Sequence, residues 1–234
     1  MTDTLPDIVV VGQRRWPGGS FPGGGGGGGA GDPDHPVLLG DPLEPPPPSN
    51  ETGPHACERP ETALPWNADA AAAAAIAAFR QAAAGLGGAD APGGIPNLGR
   101  REFGRGLSRG SGASVGGNAV SWGNPPGPDG VSSMTLDMTG ISALDYIGDV
   151  HSHPNGNPLP SQADWDGFMN SNQQARNAGR TQETFYLYII TVDSSGNPSG
   201  IRVYQDGPRS AGSSNPNRPT STGPEVNPDA LPCP

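Results

Sequence analysis

Lysine is absent from this chain: all 13 basic residues are arginine, set against 23 Asp and Glu for a net charge of −10. Phosphate binding needs a concentrated basic face, so nucleic acid is not an expected partner. Arg100, Arg101, Arg105 and Arg109 do fall close together; they read either as a solvated strand and loop edge or as a clamp for a phosphate or substrate carboxylate. Cysteine is scarce. Cys57 and Cys233 both lie in proline-rich flanks, where no core would hold them together, so neither a disulfide framework nor a zinc ribbon is expected. Near the N-terminus the only apolar run is Ile8 to Val11, too short for a signal-peptide core and far too short to span a bilayer. The expectation is a soluble protein without a membrane partner, cytoplasmic or exported by a route that reads no N-terminal signal. Aromatic residues make up 6% and hydrophobic residues 32%, which points to one modest domain flanked by disordered sequence.

What the chain has in excess is glycine and proline, 38 and 29 of its 234 residues. A polyglycine run followed by a polyproline run occupies the sequence from Gly18 to about Pro60. Neither can bury enough apolar surface to offset its ordering entropy. Residues 1–63 therefore read as a disordered segment, 64–206 as the folded domain and 207–234, rich in Gly, Pro and Ser, as a disordered tail. His35 and His55, in the first segment, read as solvated.

Inside the domain, the alanine-rich stretch from Ala68 to Ala84 predicts a helix, capped by Asn67 or Asp69, stopped by Gly85 to Gly88, and docked by Ile76, Phe79 and Leu86 alone. RREFGRGLSRG and SVGGNAVSWG around a glycine-rich turn resemble a hairpin, and SSMTLDM alternates as a strand does. LDYIGDVHSH reads as a strand with Tyr146, Gly148 and Val150 facing away from Ile147, Asp149 and His151. A helix follows from Ser161 to about Asn177, with Trp165 and Phe168 as core or pocket wall, like Trp122, and with Asn170, Asn172, Gln173 and Gln174 toward solvent. ETFYLYIITVD and IRVYQD flank a turn and predict a hairpin. The order suits an α+β domain built on a single mixed β-sheet flanked by helices.

The chemistry is concentrated in GDVHSHPNGNPLPSQAD, Gly148 to Asp164. Residues i and i+2 of a strand face the same side, so His151 and His153 project together until Pro154 ends the strand. Ser161 can cap the next helix, which puts Asp164 in its first turn, pointing back toward the strand end. Two imidazoles and one carboxylate leave a position open on zinc, the catalytic rather than the closed structural pattern. The same Ser161-x-x-Asp164 spacing also reads as a capping box that needs no metal.

The string H-x-H-P, six residues, S-x-x-D, found here as His151, His153, Pro154, Ser161 and Asp164, resembles the metal motif of the JAB/MPN (JAMM) metalloprotease superfamily. The resemblance implies that His151, His153 and Asp164 bind zinc, that a glutamate on an early strand is the general base, and that Ser161 helps steady the oxyanion. Glu102 stands 49 residues before His151 and is followed by Phe103 and Gly104, which looks like the E-x-G start of the family's glutamate strand. The layout from Ala68 to Tyr204 is similar to a bacterial branch found at the ends of polymorphic toxins. Two residues depart from the pattern. Arg105 follows Gly104 where another small residue is more usual, and Asp149 stands where many members are apolar; it reads as an orienting partner of His151, a competing ligand or a solvated residue. The implied activity is zinc-dependent hydrolysis of peptide or isopeptide bonds in a protein or peptide substrate. Two alternatives remain: an MPN-like module that binds without turnover, and an amidohydrolase-type metal hydrolase, whose barrel needs more chain and more histidines than follow His153.

Overall fold

The computed structural model describes residues 5, 7–13, 57, 60–86, 97–125, 131–154, 156–193 and 195–233. The readings of His35, His55 and the polyglycine and polyproline runs lie outside these residues. The elements are β1 (Ile8–Gln13), α1 (Pro60–Gly85), β2 (Phe103–Arg109), β3 (Val115–Gly117), β4 (Ser121–Trp122), β5 (Val131–Leu136), β6 (Tyr146–His153), α2 (Gln162–Asn177), β7 (Phe185–Val192) and β8 (Pro198–Asp206). The main sheet has six strands in the order β3-β2-β6-β7-β8, with β4 also paired to β2. Only β6 and β7 run parallel, across the α2 crossover; the other pairs are antiparallel. This is an α+β fold on one mixed sheet, and not the eight-stranded parallel barrel that an amidohydrolase requires. A separate two-stranded ribbon, β1 with β5, completes the described strands.

β6 and β7 are buried along their whole length because both faces are covered. On one face α1 lays Ala68, Ala72, Ala75, Phe79 and Ala83 against Phe103, Leu107, Val150 and Tyr188. The helix begins at Pro60, earlier than the predicted Ala68; proline's fixed φ suits a first helical turn. Its docking stripe is mostly alanine, with Ile76 only half-buried, because a helix lying close on a sheet has room for methyl groups and little else. On the other face, α2 and the ribbon enclose Leu5, Ile8, Met134, Leu136, Met138, Trp165, Phe168 and Met169. Gly104 and Gly106 of β2 make that approach possible: a Cβ on Gly104 would meet Met134 Cε and Leu136 Cδ2 at 2.7 Å, and one on Gly106 would meet Ile141 Cδ1 at 2.5 Å.

Four expectations are corrected here. Of residues 1–63, read as disordered, the described ones belong to the fold: β1 pairs with β5, Leu5 and Ile8 are buried, and α1 starts at Pro60. Residues 207–233 are packed on the domain and not a free tail: Val203 N bonds Pro224 O, Val226 N bonds Ile201 O, and Val226 and Ala230 are buried. Cys57 and Cys233 form a disulfide, their Cα atoms 5.3 Å apart; the packed tail supplies the proximity that the flanks' composition did not foretell. Asn172 is buried and donates to Asp206 Oδ2 at 2.9 Å instead of facing solvent. The arginines in and just before β2 form no common clamp. Arg109 pairs with Glu183, Arg105 bonds Ala71 O and Arg101 bonds Gly123 O. No helix among the described residues is long and apolar enough to cross a membrane.

Candidate metal centre

Strand β6 brings its histidines to one face at the edge of the ribbon-covered side, and its geometry turns on Gly148. The pairing with β2 shifts register between Leu107 and Ser108, so Gly148 sits opposite Leu107 while Tyr146 sits opposite Ser108. This is a β-bulge. Gly148 adopts φ +154°, and a Cβ there would collide with Tyr186 O, so glycine is required. The bulge corrects the simple alternation predicted for this strand. Tyr146 turns to the same face as Asp149, and its hydroxyl lies 3.3 Å from Asp149 Oδ2.

His151, His153 and Asp164 converge, all nearly fully buried. The separations are 3.2 Å from His151 Nε2 to His153 Nε2, 3.3 Å from His153 Nε2 to Asp164 Oδ2, and 3.6 Å from His151 Nε2 to Asp164 Oδ2. Ligand atoms held roughly 2.0–2.1 Å from one tetrahedral ion lie roughly 3.3–3.4 Å apart, which these separations match. The outer nitrogens are occupied. His153 Nδ1 donates to Asn157 O at 2.8 Å, and His151 Nδ1 lies 3.4 Å from Asp149 Oδ1. With protons held on both Nδ1 atoms, both Nε2 lone pairs point at the same space as a carboxylate oxygen, an arrangement that calls for a positive charge between them.

The proton affinities say the same. Burial alone would lower the His151 imidazole, but the charge of Asp164 and the hydrogen bond it donates to Asp149 raise it to about 10. Burial would raise Asp164, yet the two histidines hold it well below the usual carboxylate range. A proton on His151 thus serves in place of a cation. The buried trio could hold a metal ion.

Asp164 reaches this point because Ser161 caps α2. The Ser161 hydroxyl accepts from Asp164 N at 3.1 Å, and Ser161 N donates to Asp164 Oδ2 at 2.6 Å. The capping box and the ligand are therefore one structure, and the two readings of Ser161 and Asp164 do not exclude each other. A serine hydroxyl that accepts one bond still has a proton to donate.

Glu102 immediately precedes β2. Gly104 pairs with His151, and Phe103 N donates to Ser152 Oγ at 3.0 Å, so the same register carries Glu102 to the level of His153. Its side chain is fully buried and neither oxygen makes a hydrogen bond of ordinary geometry. Burial raises its carboxyl to about 8; the charge of His151 pulls it down, that of Asp164 pushes it up, and the nearby Ser132 hydroxyl lowers it slightly. Beside it, Gly123 N donates to Glu102 O, and Gly123 lines a cleft of about 330 Å³ with Trp122, Asn124, Ser133, Met134 and Thr135. Trp122 is exposed on this cleft and is not core.

All five residues singled out from the motif and the early strand thus fall in one neighbourhood. Tyr146 and the carbonyl of Asn157 were not foreseen as supports of the histidines. Gly148 in mid-strand was the available signal for the first, since an isolated glycine in a strand marks a bulge; a carbonyl in a loop leaves no signal in the side-chain pattern. No protein-family profile, curated protein or solved structure matches the chain.

Proposed function

We propose that the protein is a zinc-dependent hydrolase of peptide or isopeptide bonds, acting in the manner of the JAB/MPN metallopeptidases that its motif resembles. The observation that carries this reading is the convergence of His151 Nε2, His153 Nε2 and Asp164 Oδ2 at 3.2–3.6 Å, next to a buried carboxylic acid, Glu102, whose proton affinity is poised near neutrality. His151, His153 and Asp164 would hold the ion, and the carbonyl of Asn157 and the carboxylate of Asp149 keep the two rings turned toward it. Zinc bound by two histidines and a carboxylate supplies a Lewis acid and acidifies water. Glu102 takes a proton from the attacking water at a carboxylate oxygen and delivers it to the departing amine nitrogen. The Ser161 hydroxyl retains its proton for the developing oxyanion. The apolar side chains of Met134, Leu136 and Trp165 keep bulk water from the face on which these groups meet.

The test is metal analysis of the purified protein beside His151→Ala, followed by turnover of a mixed peptide pool by wild type and Glu102→Gln. One zinc per chain, lost in His151→Ala, with hydrolysis reduced ~10²- to 10⁴-fold in Glu102→Gln at unchanged zinc content, is the expected result. Absence of metal from the wild type ends the proposal. The burial of Glu102, His151, His153 and Asp164 to 2% exposure or less favours one second reading, a metal-stabilised binding module without turnover; it predicts full zinc content and no hydrolysis in any variant.

A further inference from the structure

Cys57 and Cys233 are the only cysteines of the chain, and their disulfide joins the residues just before α1 to the end of the tail. Both cysteines are partly exposed, so a thiolate can reach the bond. What the bond closes is a strap, residues 207–233. The strap lies along β8, where Val203 N bonds Pro224 O and Val226 N bonds Ile201 O, and it finishes on α1, where Trp66 Nε1 donates to Leu231 O and Cys233 N to Asn67 Oδ1.

Between those ends the strap grips the start of α2. Arg218 Nη1 donates to Pro160 O at 2.9 Å, and Trp165 Nε1 donates to Pro216 O at 2.9 Å. Pro160 immediately precedes the cap Ser161, and Trp165 immediately follows Asp164. The two bonds therefore bracket the turn that presents the Asp164 carboxylate. At its root the strap is tied by Arg209, which pairs with Asp206, and near its middle Glu225 pairs with Arg202, but apolar packing adds little. Its buried apolar side chains are Val226 and Ala230, which is scant return for ordering so many residues. Six prolines lower that entropic cost, but one covalent link between distant ends is the strongest constraint on it.

We propose that the Cys57–Cys233 disulfide is a thiol-sensitive clasp: closed, it holds the 207–233 strap across β8 and the start of α2; opened by a dithiol reductant, it releases the strap and loosens the turn that carries Asp164. One thiolate of the reductant attacks a cysteine sulfur, the Cys57–Cys233 bond breaks, and the freed sulfur leaves as a thiolate that takes up a proton. The second thiolate of the reductant then displaces the other cysteine from the mixed disulfide. Cys57 and Cys233 each gain one electron and one proton, and the dithiol loses two of each as it closes on itself. The clasp itself is independent of the metal reading; its effect on Asp164 rests on that reading.

The strap carries its own probe. Trypsin cuts after arginine, and Arg209 is followed by Ser210, whereas the bond after Arg218 is protected by Pro219. In the closed form Arg209 is held by Asp206, Gln173, Ser213 and Asn215. Full-length protein is digested briefly in three forms: oxidised, reduced with dithiothreitol and alkylated, and as the double variant Cys57→Ser, Cys233→Ser. The expected result is cleavage after Arg209 at least tenfold faster in the reduced and variant proteins, with cleavage after Arg176 in α2 and Arg105 in β2 unchanged. Equal rates after Arg209 in all three forms overturn the clasp, as does equal acceleration at Arg176 and Arg105, which marks general unfolding. Zinc release to a chelating dye is measured on the oxidised and double-variant proteins. Release at least threefold faster from the variant supports the coupling to Asp164, and equal release overturns it. Absence of zinc from both is the failure of the metal reading and leaves the tryptic comparison to decide the clasp.

Discussion

Glu102 and His151 set opposite demands on the same small volume, and pH separates them. The Glu102 carboxyl rises from an ordinary 4.5 to about 8 because burial disfavours its charge. A raised carboxyl binds its proton more tightly in the folded than in the unfolded chain, so between these values the folded state holds more protons. Stability therefore falls as pH climbs from about 4.5 to 8 and levels off above that range. In protein stripped of metal, urea denaturation of wild type and Glu102→Gln across this range should show the wild type losing stability relative to the variant as pH rises. Parallel curves would mean that Glu102 is not buried as described. His151, raised from 6.5 to about 10 by Asp164 and Asp149 against the effect of burial, loses its own contribution only as pH rises above about 6.5, so the difference between the two proteins reports Glu102 most directly between about pH 4.5 and 6.5.

At the scale of elements, the site depends on how closely the ribbon and α2 approach the sheet. Gly104 is the point on β2 where this approach bears on the site, since a Cβ there would lie 3.0 Å from His151 Cβ and 2.7 Å from two ribbon side chains. Gly104→Ala should cost ~1–3 kcal/mol through overpacking and weaken metal binding as well, because the added methyl presses on a ligand histidine. Chemical denaturation and metal titration of the same variant check both effects. The α2 cap offers a contrasting case. Ser161→Ala removes the hydroxyl that accepts from Asp164 N, for which a loss of about 1 kcal/mol is expected. It also releases the Asp164 backbone N from the cap while the bond from Ser161 N to the carboxylate remains, so metal affinity should fall by more than stability alone accounts for. Unchanged affinity would show that the backbone donor of Ser161 suffices to aim Asp164.

For the whole molecule, the long closure from Cys57 to Cys233 dominates. The bond spans 176 residues of chain, and breaking it returns that loop to the unfolded ensemble. A loss of roughly 2–5 kcal/mol on reduction is expected, read as a lower urea midpoint for the alkylated protein. An unchanged midpoint would mean that the strap's hydrogen bonds hold it without help. The network around Asp206 is a second long-range device. Arg176 and Arg209 both pair with it, Asn172 donates to it, and Arg176 and Arg180 lie over the Phe185 ring, fastening α2 to the end of β8 and the root of the strap.

How far these features could be read from the residues follows the length of the contacts that make them. The helix over the alanines, the β7–β8 hairpin and the pairing of His151 with His153 rest on neighbours a few positions apart, and propensity, alternation and capping act at that range. The place of Asp164 was legible for the same reason, because a cap and its third residue are local. The Cys57–Cys233 bond, the packed strap, the buried Asn172 and the reversal of Tyr146 at Gly148 rest on contacts between distant segments or on a strand's exact register. Composition could describe the 207–233 segment only as polar and rich in proline. It took β8, α2 and a covalent partner 176 residues earlier in the chain to give those residues something to pack against, since a segment with so few apolar side chains has no means of ordering itself.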